Sequence, residues 1–361
     1  MSLNTDWKSH KTKRSFIFYG NNLFKKLDCF KIELSEINIK YKTLKQFSSL
    51  DLTPYSIIKG IFIGWSFLLI KINEGTYHCG FYETANEESH PRKIFSGVHD
   101  LSCSLSDSYI ISETLDLYHV SHPDFVVNKI DIQDKKLDRI ATEDLYTIAL
   151  TTEGKVLDIK KTEEIQVTLI DLPFIINQVA CGKEHVLLLS SSGVVLSYGF
   201  GSRGQLGHNN LHKLEKPVIL EALEGIEIIA IAAGGWHSAA ISSIGDLYMW
   251  GWNESGQLGL PCPKLEGNRS SSEIYTACYL PKLIDLDDKK VTKISCGSRH
   301  TAAITEDKQL WTWGYNNWGQ LGNKNCLFND TPEKVSLPKN FIVQNVKCKF
   351  WDTLIEGCIE K

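Results

Sequence analysis

Short apolar runs alternate with glycine-rich polar turns along the second half of the chain. The runs "LYMWGW" (247–252) and "LWTWGY" (310–315) carry aromatic side chains at alternate positions. Alternate residues of a β-strand lie on the same face, so this pattern predicts strands. Several short strands between glycine turns predict a small antiparallel sheet.

The same unit occurs three times. "VACGKEHVLLLSSSGVVLSYGFGSRGQLG" (179–207), "IAAGGWHSAAISSIGDLYMWGWNESGQLG" (231–259) and "ISCGSRHTAAITEDKQLWTWGYNNWGQLG" (294–322) align without gaps, with 22 positions between the histidine and the last glycine of each. One such sheet cannot bury both of its faces alone. Stacked copies around an axis would form a β-propeller.

Fainter copies extend the pattern to both ends of the chain. Ser66, Asp107, Tyr146 and Asp352 align with the histidine position, which gives seven units with spacings of 41, 39, 39, 52, 63 and 52 residues. The last copy lacks its outer strand, and "SFIFYGNN" (15–22) resembles that strand. We therefore predict an all-β, seven-bladed propeller whose last blade is closed by strands from both termini, which removes exposed sheet edges.

This prediction divides the chain into a short basic arm and one propeller. The expected segments are an arm at 1–14 and a propeller at 15–361, with a closing strand at 15–24, three degenerate blades at 58–170, three well-formed repeats at 177–336 and the start of the closing blade at 343–357.

Composition limits the possible functions. The net charge of −4 provides no general attraction to nucleic acid, so sequence-specific nucleic-acid binding is not expected. The apolar segment 57–72 has only 16 residues and contains two lysines, so we predict two buried strands with a turn near Gly64 and no membrane span. Ten cysteines without a CxxC pair favour reduced thiols, no zinc site, and a nuclear or cytoplasmic location.

A glycine motif raises the possibility of cofactor binding. "GFGSRG" (199–204) has the Gly-x-Gly-x-x-Gly spacing of a dinucleotide-binding turn, but the helix that such a turn requires does not follow it. The corresponding positions in the other repeats read "GWNESG" and "GYNNWG". We therefore predict no cofactor, and the sequence shows no catalytic motif that the repeat leaves unexplained.

Residues that recur in every repeat are expected to maintain the blade. The histidines are predicted to bond nearby backbone, the glutamines to cap turns, and the glycines to adopt positive φ or allow close backbone approach. These residues are His185, His237, His300, Gln205, Gln257, Gln320, Gly207, Gly259 and Gly322. Because the histidines lie on separate blades, we predict no metal site.

Residues that differ between repeats are candidates for recognition. Tryptophan and arginine in loops dominate binding hot spots, although packing between blades is an alternative for Trp252. The predicted partner-binding residues are Trp236, Arg299, Lys183, Trp252, Asn253, Glu254 and Asn317.

The Gly-x-x-His-(Thr/Ser)-Ala run and the Gly-Gln-Leu-Gly turn resemble the repeat of the regulator of chromosome condensation family. The Trp-Asp dipeptide of another propeller family occurs only once, at Trp351-Asp352. The resemblance implies a monomeric, non-enzymatic adaptor in chromatin regulation and chromosome segregation, whose partner is a JmjC-type 2-oxoglutarate oxygenase. Its alternatives are guanine-nucleotide exchange on a small GTPase, and nucleosome docking through histones.

Overall fold

The structure is a computed structural model that describes most of the propeller. It covers residues 13–20, 30–33, 41–47, 58–72, 75–80, 92–122, 124–265, 274–323 and 326–360. The described residues form strands and two short 3-10 helices, at Glu221–Leu223 and Pro263–Leu265.

The strands are numbered in chain order and grouped into seven antiparallel sheets. The N-terminal strands are β1 (Lys13–Tyr19), β2 (Phe30–Glu33) and β3 (Tyr41–Phe47). Blade 1 contains β4 (Gly60–Ile63), β5 (Phe67–Ile72), β6 (Gly75–Gly80) and β7 (Arg92–Phe95). Blade 2 contains β8 (Val98–Cys103), β9 (Asp107–Ser112), β10 (Leu117–Ser121) and β11 (Val127–Ile130). Blade 3 contains β12 (Leu137–Thr142), β13 (Thr147–Thr151), β14 (Val156–Lys161) and β15 (Ile165–Ile170).

The other blades follow in the same order. Blade 4 contains β16 (Ile176–Cys181), β17 (His185–Ser190), β18 (Val195–Gly199) and β19 (Leu214–Ile219). Blade 5 contains β20 (Ile228–Ala233), β21 (His237–Ser242), β22 (Leu247–Trp252) and β23 (Ala277–Ile284). Blade 6 contains β24 (Val291–Cys296), β25 (His300–Thr305), β26 (Leu310–Tyr315) and β27 (Phe328–Lys334). Blade 7 joins β28 (Phe341–Lys349) and β29 (Asp352–Ile359) to β1, β3 and β2.

The second strand of each blade forms the core. All six residues of β9, β17, β21 and β25 are buried, because each face of these strands packs on a neighbouring blade. This explains why "HVLLLS" is apolar over most of its length instead of alternating, as a strand with one wet face would. The outer strand β19 has exposed residues on both faces and ends the blade at the surface.

Both termini build the last blade, as predicted. β1 pairs antiparallel with β29 from Lys13↔Ile359 to Tyr19↔Thr353. Phe16, Ile17, Phe18 and Tyr19 are each at most 2% exposed, so this strand contributes to the core. The sheet order β2-β3-β1-β29-β28 also adds two outer strands that the sequence pattern did not predict. The seven-bladed, all-β prediction is confirmed.

One alignment in the first blade is wrong by one residue. In the well-formed blades the loop glycine donates its N–H to the histidine carbonyl, as Gly182 does to His185 at 2.8 Å. In blade 1, Gly64 donates to Phe67 at 2.9 Å, and Phe67 pairs with Gly80 as His185 pairs with Gly199. Phe67, not Ser66, therefore occupies the histidine position. The predicted turn near Gly64 lies between β4 and β5, as expected.

Candidate protein-binding face

The loops between the first and second strands of the blades form one end of the propeller, which we call the loop face. Backbone hydrogen bonds connect successive loops: Lys183 N–H donates to the Gly234 carbonyl at 3.3 Å, and Gly235 N–H to Gly297 at 3.0 Å. Ser298 N–H then donates to the Phe350 carbonyl at 2.7 Å. The loops of blades 4 to 7 therefore form a continuous, hydrogen-bonded rim.

Beneath this rim, each recurring histidine contacts the following blade. Nε2 of His185 lies 2.8 Å from Ser238 Oγ, and Nε2 of His237 lies 3.0 Å from Thr301 Oγ1. Nε2 of His300 lies 2.9 Å from Thr353 Oγ1. The partner is thus a side-chain hydroxyl of the next blade, where the sequence had suggested nearby backbone.

The hydroxyl groups determine which histidine nitrogen carries the proton. Ser238 Oγ donates its hydrogen to the Gln205 carbonyl at 2.8 Å, so it can only accept from His185. Thr301 Oγ1 donates to the Gln257 carbonyl at 2.7 Å, which fixes His237 in the same way. The three histidines are fully buried, and burial lowers the pKa of each to about 3. All three are neutral, and His185 and His237 are internal donors, an arrangement suited to holding blades together.

The recurring glutamines brace the turn that follows the third strand. Oε1 of Gln205, Gln257 and Gln320 accepts the backbone N–H two residues earlier, at 2.9 to 3.0 Å. Each side chain is fully buried. The turn ends on Gly207, Gly259 and Gly322, with φ of +81°, +76° and +69°. At Gly322 an added Cβ would also lie 2.3 Å from the Tyr19 ring of the closing strand.

Five residues of the loop face form a row of stacked side chains, which we call the cation–tryptophan row: Lys183, Trp236, Arg203, Trp252 and Arg299. The rings of Trp236 and Trp252 meet edge to face, with centroids 5.5 Å apart. The Arg203 guanidinium lies 4.6 Å from the first centroid and 4.2 Å from the second. Lys183 lies over Trp236 at 5.1 Å, and Arg299 over Trp252 at 4.5 Å.

Acidic neighbours hold parts of this row. Trp236 Nε1 donates to Glu184 at 3.0 Å, and Glu254 contacts Arg299 at 3.9 Å and Lys264 at 3.3 Å. Side chains of the row remain partly exposed, with Arg299 at 31% and Lys183 at 44%. Partly exposed tryptophan rings and stacked guanidinium groups combine apolar area with directional donors.

The structure brings together most of the predicted partner-binding residues. Trp236 and Arg299 contact each other only through Trp252. Arg203 was not selected from the sequence, although its position varies between repeats, where Ser255 and Trp318 align with it. That variability was the signal that could have identified it.

Two predicted asparagines lie outside the row. Asn253 is fully buried: its amide donates to the Leu260 and Tyr275 carbonyls at 3.0 and 2.9 Å, and its oxygen accepts from Leu258 N–H. Its predicted role in binding a partner is wrong, because this side chain is used entirely inside its own turn. Asn317 is exposed on blade 6.

An ion pair joins two blades that are not neighbours in the ring. Lys349 of blade 7 lies 3.0 Å from Glu143 of blade 3, and its Nζ also donates to the Thr142 carbonyl at 2.6 Å. Burial raises the pKa of Glu143, while Lys349 opposes that shift. Beside it, Asp144 contacts Lys183 at 3.4 Å, which connects this pair to the cation–tryptophan row.

Among the described residues no group of three or more His, Cys, Asp or Glu side chains is placed to hold a metal ion. The same part of the chain contains no helix of the length and apolarity that a bilayer span requires.

Comparison with known proteins supports the repeat. The regulator of chromosome condensation (RCC1) repeat matches residues 192–241, 245–304 and 307–348. Human RCC1 domain-containing protein 1 is 40% identical over 207 residues, which cover 49% of this chain and 55% of that protein. The chain thus spans about half the length of the curated relatives it matches.

Solved structures support the architecture over a longer span. Human WBSCR16 aligns with a TM-score of 0.74 over 96% of this chain and 99% of its own, at 17% identity. Prp20p from Saccharomyces cerevisiae aligns with a TM-score of 0.77 over 97% of this chain and 93% of its own, also at 17% identity. These likenesses concern the fold. The resemblance inferred from the sequence is confirmed: three segments between residues 192 and 348 match the regulator of chromosome condensation repeat.

Proposed function

We propose that this chain is a non-enzymatic adaptor whose loop face binds a protein partner through the cation–tryptophan row. The propeller of this repeat type supports a role in protein interaction or in nucleotide exchange. The observation that carries the proposal is the row itself, in which three cations stack on two partly exposed tryptophans. Stacking fixes the guanidinium planes before binding, so less side-chain entropy is lost when a partner docks.

The unpaired donors of the row favour binding over a purely structural role. Arg203 contacts both tryptophan rings, and no described carboxylate lies within ion-pair distance of it. Arg299 Nε is buried without a hydrogen-bond acceptor among the described residues. Donors of this kind gain most when a partner supplies the missing acceptor.

For the partner we propose a JmjC-type 2-oxoglutarate oxygenase, with the complex acting in chromatin regulation in the nucleus or cytoplasm. The support for this identity is the similarity to RCC1 domain-containing protein 1 and the family resemblance. Nucleotide exchange is the alternative, because Prp20p has been studied for its binding to Gsp1p and histones. Exchange would need a protruding insertion, and the candidate segment at 259–283 is anchored to the next blade near its start. There Cys262 is fully buried and its N–H donates to Asp330 of blade 6 at 3.0 Å.

The test compares two double variants in affinity capture from nuclear extract, followed by titration with the purified oxygenase that is captured. Trp236→Ala with Arg299→Glu should weaken that partner by about thirtyfold or more, since each hot-spot side chain contributes ~1 kcal/mol or more. The matched control, Trp318→Ala with Arg139→Glu, changes exposed residues outside the row and should bind normally.

The melting temperatures of both variants should stay close to that of wild type. Equal affinity of the two folded double variants would remove the binding site from this row. Capture of a small GTPase in place of an oxygenase, with accelerated release of its nucleotide, would favour exchange.

A further inference from the structure

The well-formed blades fill the space next to the following blade with a long turn. The connections between their third and fourth strands span residues 200–213, 253–276 and 316–327. In blade 4 this turn inserts Gln205, whose carbonyl accepts from Ser238 Oγ at 2.8 Å and from Trp250 Nε1 at 2.9 Å of blade 5. Leu206 is buried beside it. The turn of blade 5 inserts Gln257 against Thr301 and Trp313 of blade 6 in the same way.

Blade 2 lacks this turn. Its third and fourth strands are joined by residues 122–126 alone. The strand register shows which residues of blade 3 would otherwise face the turn. Ser238 pairs with Trp250 in blade 5, and the corresponding pair in blade 3 is Thr147 with Ile159, next to the Ile148↔Asp158 pair.

A cavity of about 360 Å³ lies at this place, open to the loop face. Four of its lining residues correspond to residues that surround Gln205 in blades 4 and 5. Asp107 corresponds to His185, and Thr147 to Ser238. Ile159 corresponds to Trp250, and Lys160 to Gly251. The cavity therefore coincides with the space that a Gln-Leu turn fills between blades 4 and 5 and between blades 5 and 6. Its volume is in the range of ~300 to 1,000 Å³ found for binding pockets.

The wall of the cavity is polar and fixed. Asp107 is only 7% exposed, and its carboxylate contacts His119 at 2.5 Å, Lys161 at 2.7 Å and Ser106 at 2.7 Å. Asp144 Oδ1 is buried and has no hydrogen-bond partner among the described residues, so the cavity lacks one donor.

The rim of the cavity is apolar. Leu105 is 42% exposed and Leu145 is 56% exposed, one on each side of the opening. Exposed leucines at a pocket mouth provide area that a partner's apolar side chain can cover.

We infer that this cavity receives a turn of a partner protein that carries a glutamine or asparagine amide beside an apolar side chain. The inserted turn would replace in trans the turn that blade 2 lacks. The amide N–H groups would supply the donor that Asp144 Oδ1 lacks, and the apolar neighbour would cover the leucine rim. An anionic ligand is disfavoured, because three carboxylates line the cavity. The two lysines of its wall are also already paired, Lys161 with Asp107 and Lys160 with Asp158.

This inference rests on the proposal that the loop face binds a protein. The Asp144–Lys183 contact joins the cavity to the cation–tryptophan row, so one partner would cover both.

The test uses a synthetic peptide with the sequence of residues 201–209, GSRGQLGHN, titrated into the isotope-labelled full chain and followed by NMR. Amide signals of Asp107 and Thr147 should shift. Gln205→Ala in the peptide should weaken binding about tenfold, because it leaves buried polar groups unpaired.

A variant of the protein locates the site. Leu105→Trp places a bulky ring at the cavity mouth and should abolish the shifts. Leu283→Trp, the same change at a leucine 56% exposed on the outer strand of blade 5, should leave them unaltered. Absence of shifts up to the solubility limit of the peptide, or equal binding to Leu105→Trp and wild type, would overturn the inference. This assay needs no natural partner, so its failure is separate from failure of the Trp236 and Arg299 variants.

Discussion

Acidification should unfold this propeller through its neutral histidines. His185, His237 and His300 are fully buried, and burial lowers the pKa of each from 6.5 to about 3. Below pH 6.5 the unfolded chain therefore binds more protons than the folded chain, so the free energy of unfolding falls as the pH falls. The contribution is complete above the unfolded pKa and is lost progressively toward pH 3.

The size of this effect follows from the difference in pKa. A pH of 5 lies about 1.5 units below the unfolded pKa of histidine. Each buried histidine therefore lowers the free energy of unfolding by about 2 kcal/mol at this pH, and the three together lower it by about 6 kcal/mol. Typical domains have ~5 to 15 kcal/mol of stability. His78 and His122, whose pKa values burial lowers to about 3 and about 4, act in the same direction. We expect a sharp loss of stability between pH 6.5 and 5.

Urea unfolding monitored by tryptophan fluorescence at several pH values would measure this dependence. The informative variant is His237→Gln, which keeps a donor for Thr301 but does not titrate. Its free energy of unfolding should depend on pH less steeply than that of wild type, by about 1.4 kcal/mol per pH unit. Equal slopes in wild type and His237→Gln would refute the neutral, buried state of this histidine.

Three further predictions concern closure and the turns. Deleting residues 1–24 removes β1 and its four buried side chains, so we expect aggregation or a large fall in melting temperature. Deleting residues 1–12 should have only a mild effect. Equal melting temperatures of the full chain and the longer deletion would rule out closure by this strand. Asn253→Ala should lower the free energy of unfolding in urea by about 2 kcal/mol, because it leaves buried carbonyls unpaired. Asn317→Ala, at an exposed position, should leave this free energy unchanged. Equal effects of the two substitutions would contradict the structural role of Asn253. Gly201→Asn copies Asn253 and Asn316, but its Cβ would lie 2.5 Å from the His212 carbonyl, so we expect a lower melting temperature; an unchanged melting temperature would contradict this close approach. Calorimetric titration with nicotinamide and flavin nucleotides should show no binding to wild type, and binding that Gly201→Asn abolishes would establish a cofactor site.

The periodic part of the chain determined how much of the fold could be predicted. Three gap-free copies set the blade length, the strand order and the positions of the buried histidines and glutamines. The N-terminal strand could be recognised because "SFIFYG" repeats the aromatic alternation of "LWTWGY". In blade 1 the histidine is replaced by Phe67, and without that landmark the alignment followed the Gly-Trp pair at 64–65 and slipped by one residue.

The site was less predictable because contacts between blades leave no trace in the spacing of one repeat. Arg203 reaches Trp236 and Trp252 from the preceding blade, and only the ring of blades brings them together. Asn253 looked variable, but Asn316 is its true counterpart and uses the same hydrogen bonds, accepting from Leu321 N–H and donating to the Cys326 carbonyl. Asn253 and Asn316 are therefore one recurring structural residue of the repeat.

The histidine–hydroxyl contacts have a direction, since a histidine on each of blades 4, 5 and 6 meets a hydroxyl on the next blade. A blade with both groups is an interchangeable module. If residues 228–290 were duplicated in tandem, His237 of the first copy would meet Ser238 of the second, just as His185 meets Ser238 now. A duplicated blade 3 would offer Tyr146 in place of the donor and interrupt the series. Blade 4 has Val186 at the position of the hydroxyl, so growth of this ring by gene duplication is compatible with blades 5 and 6 and opposed at blades 3 and 4.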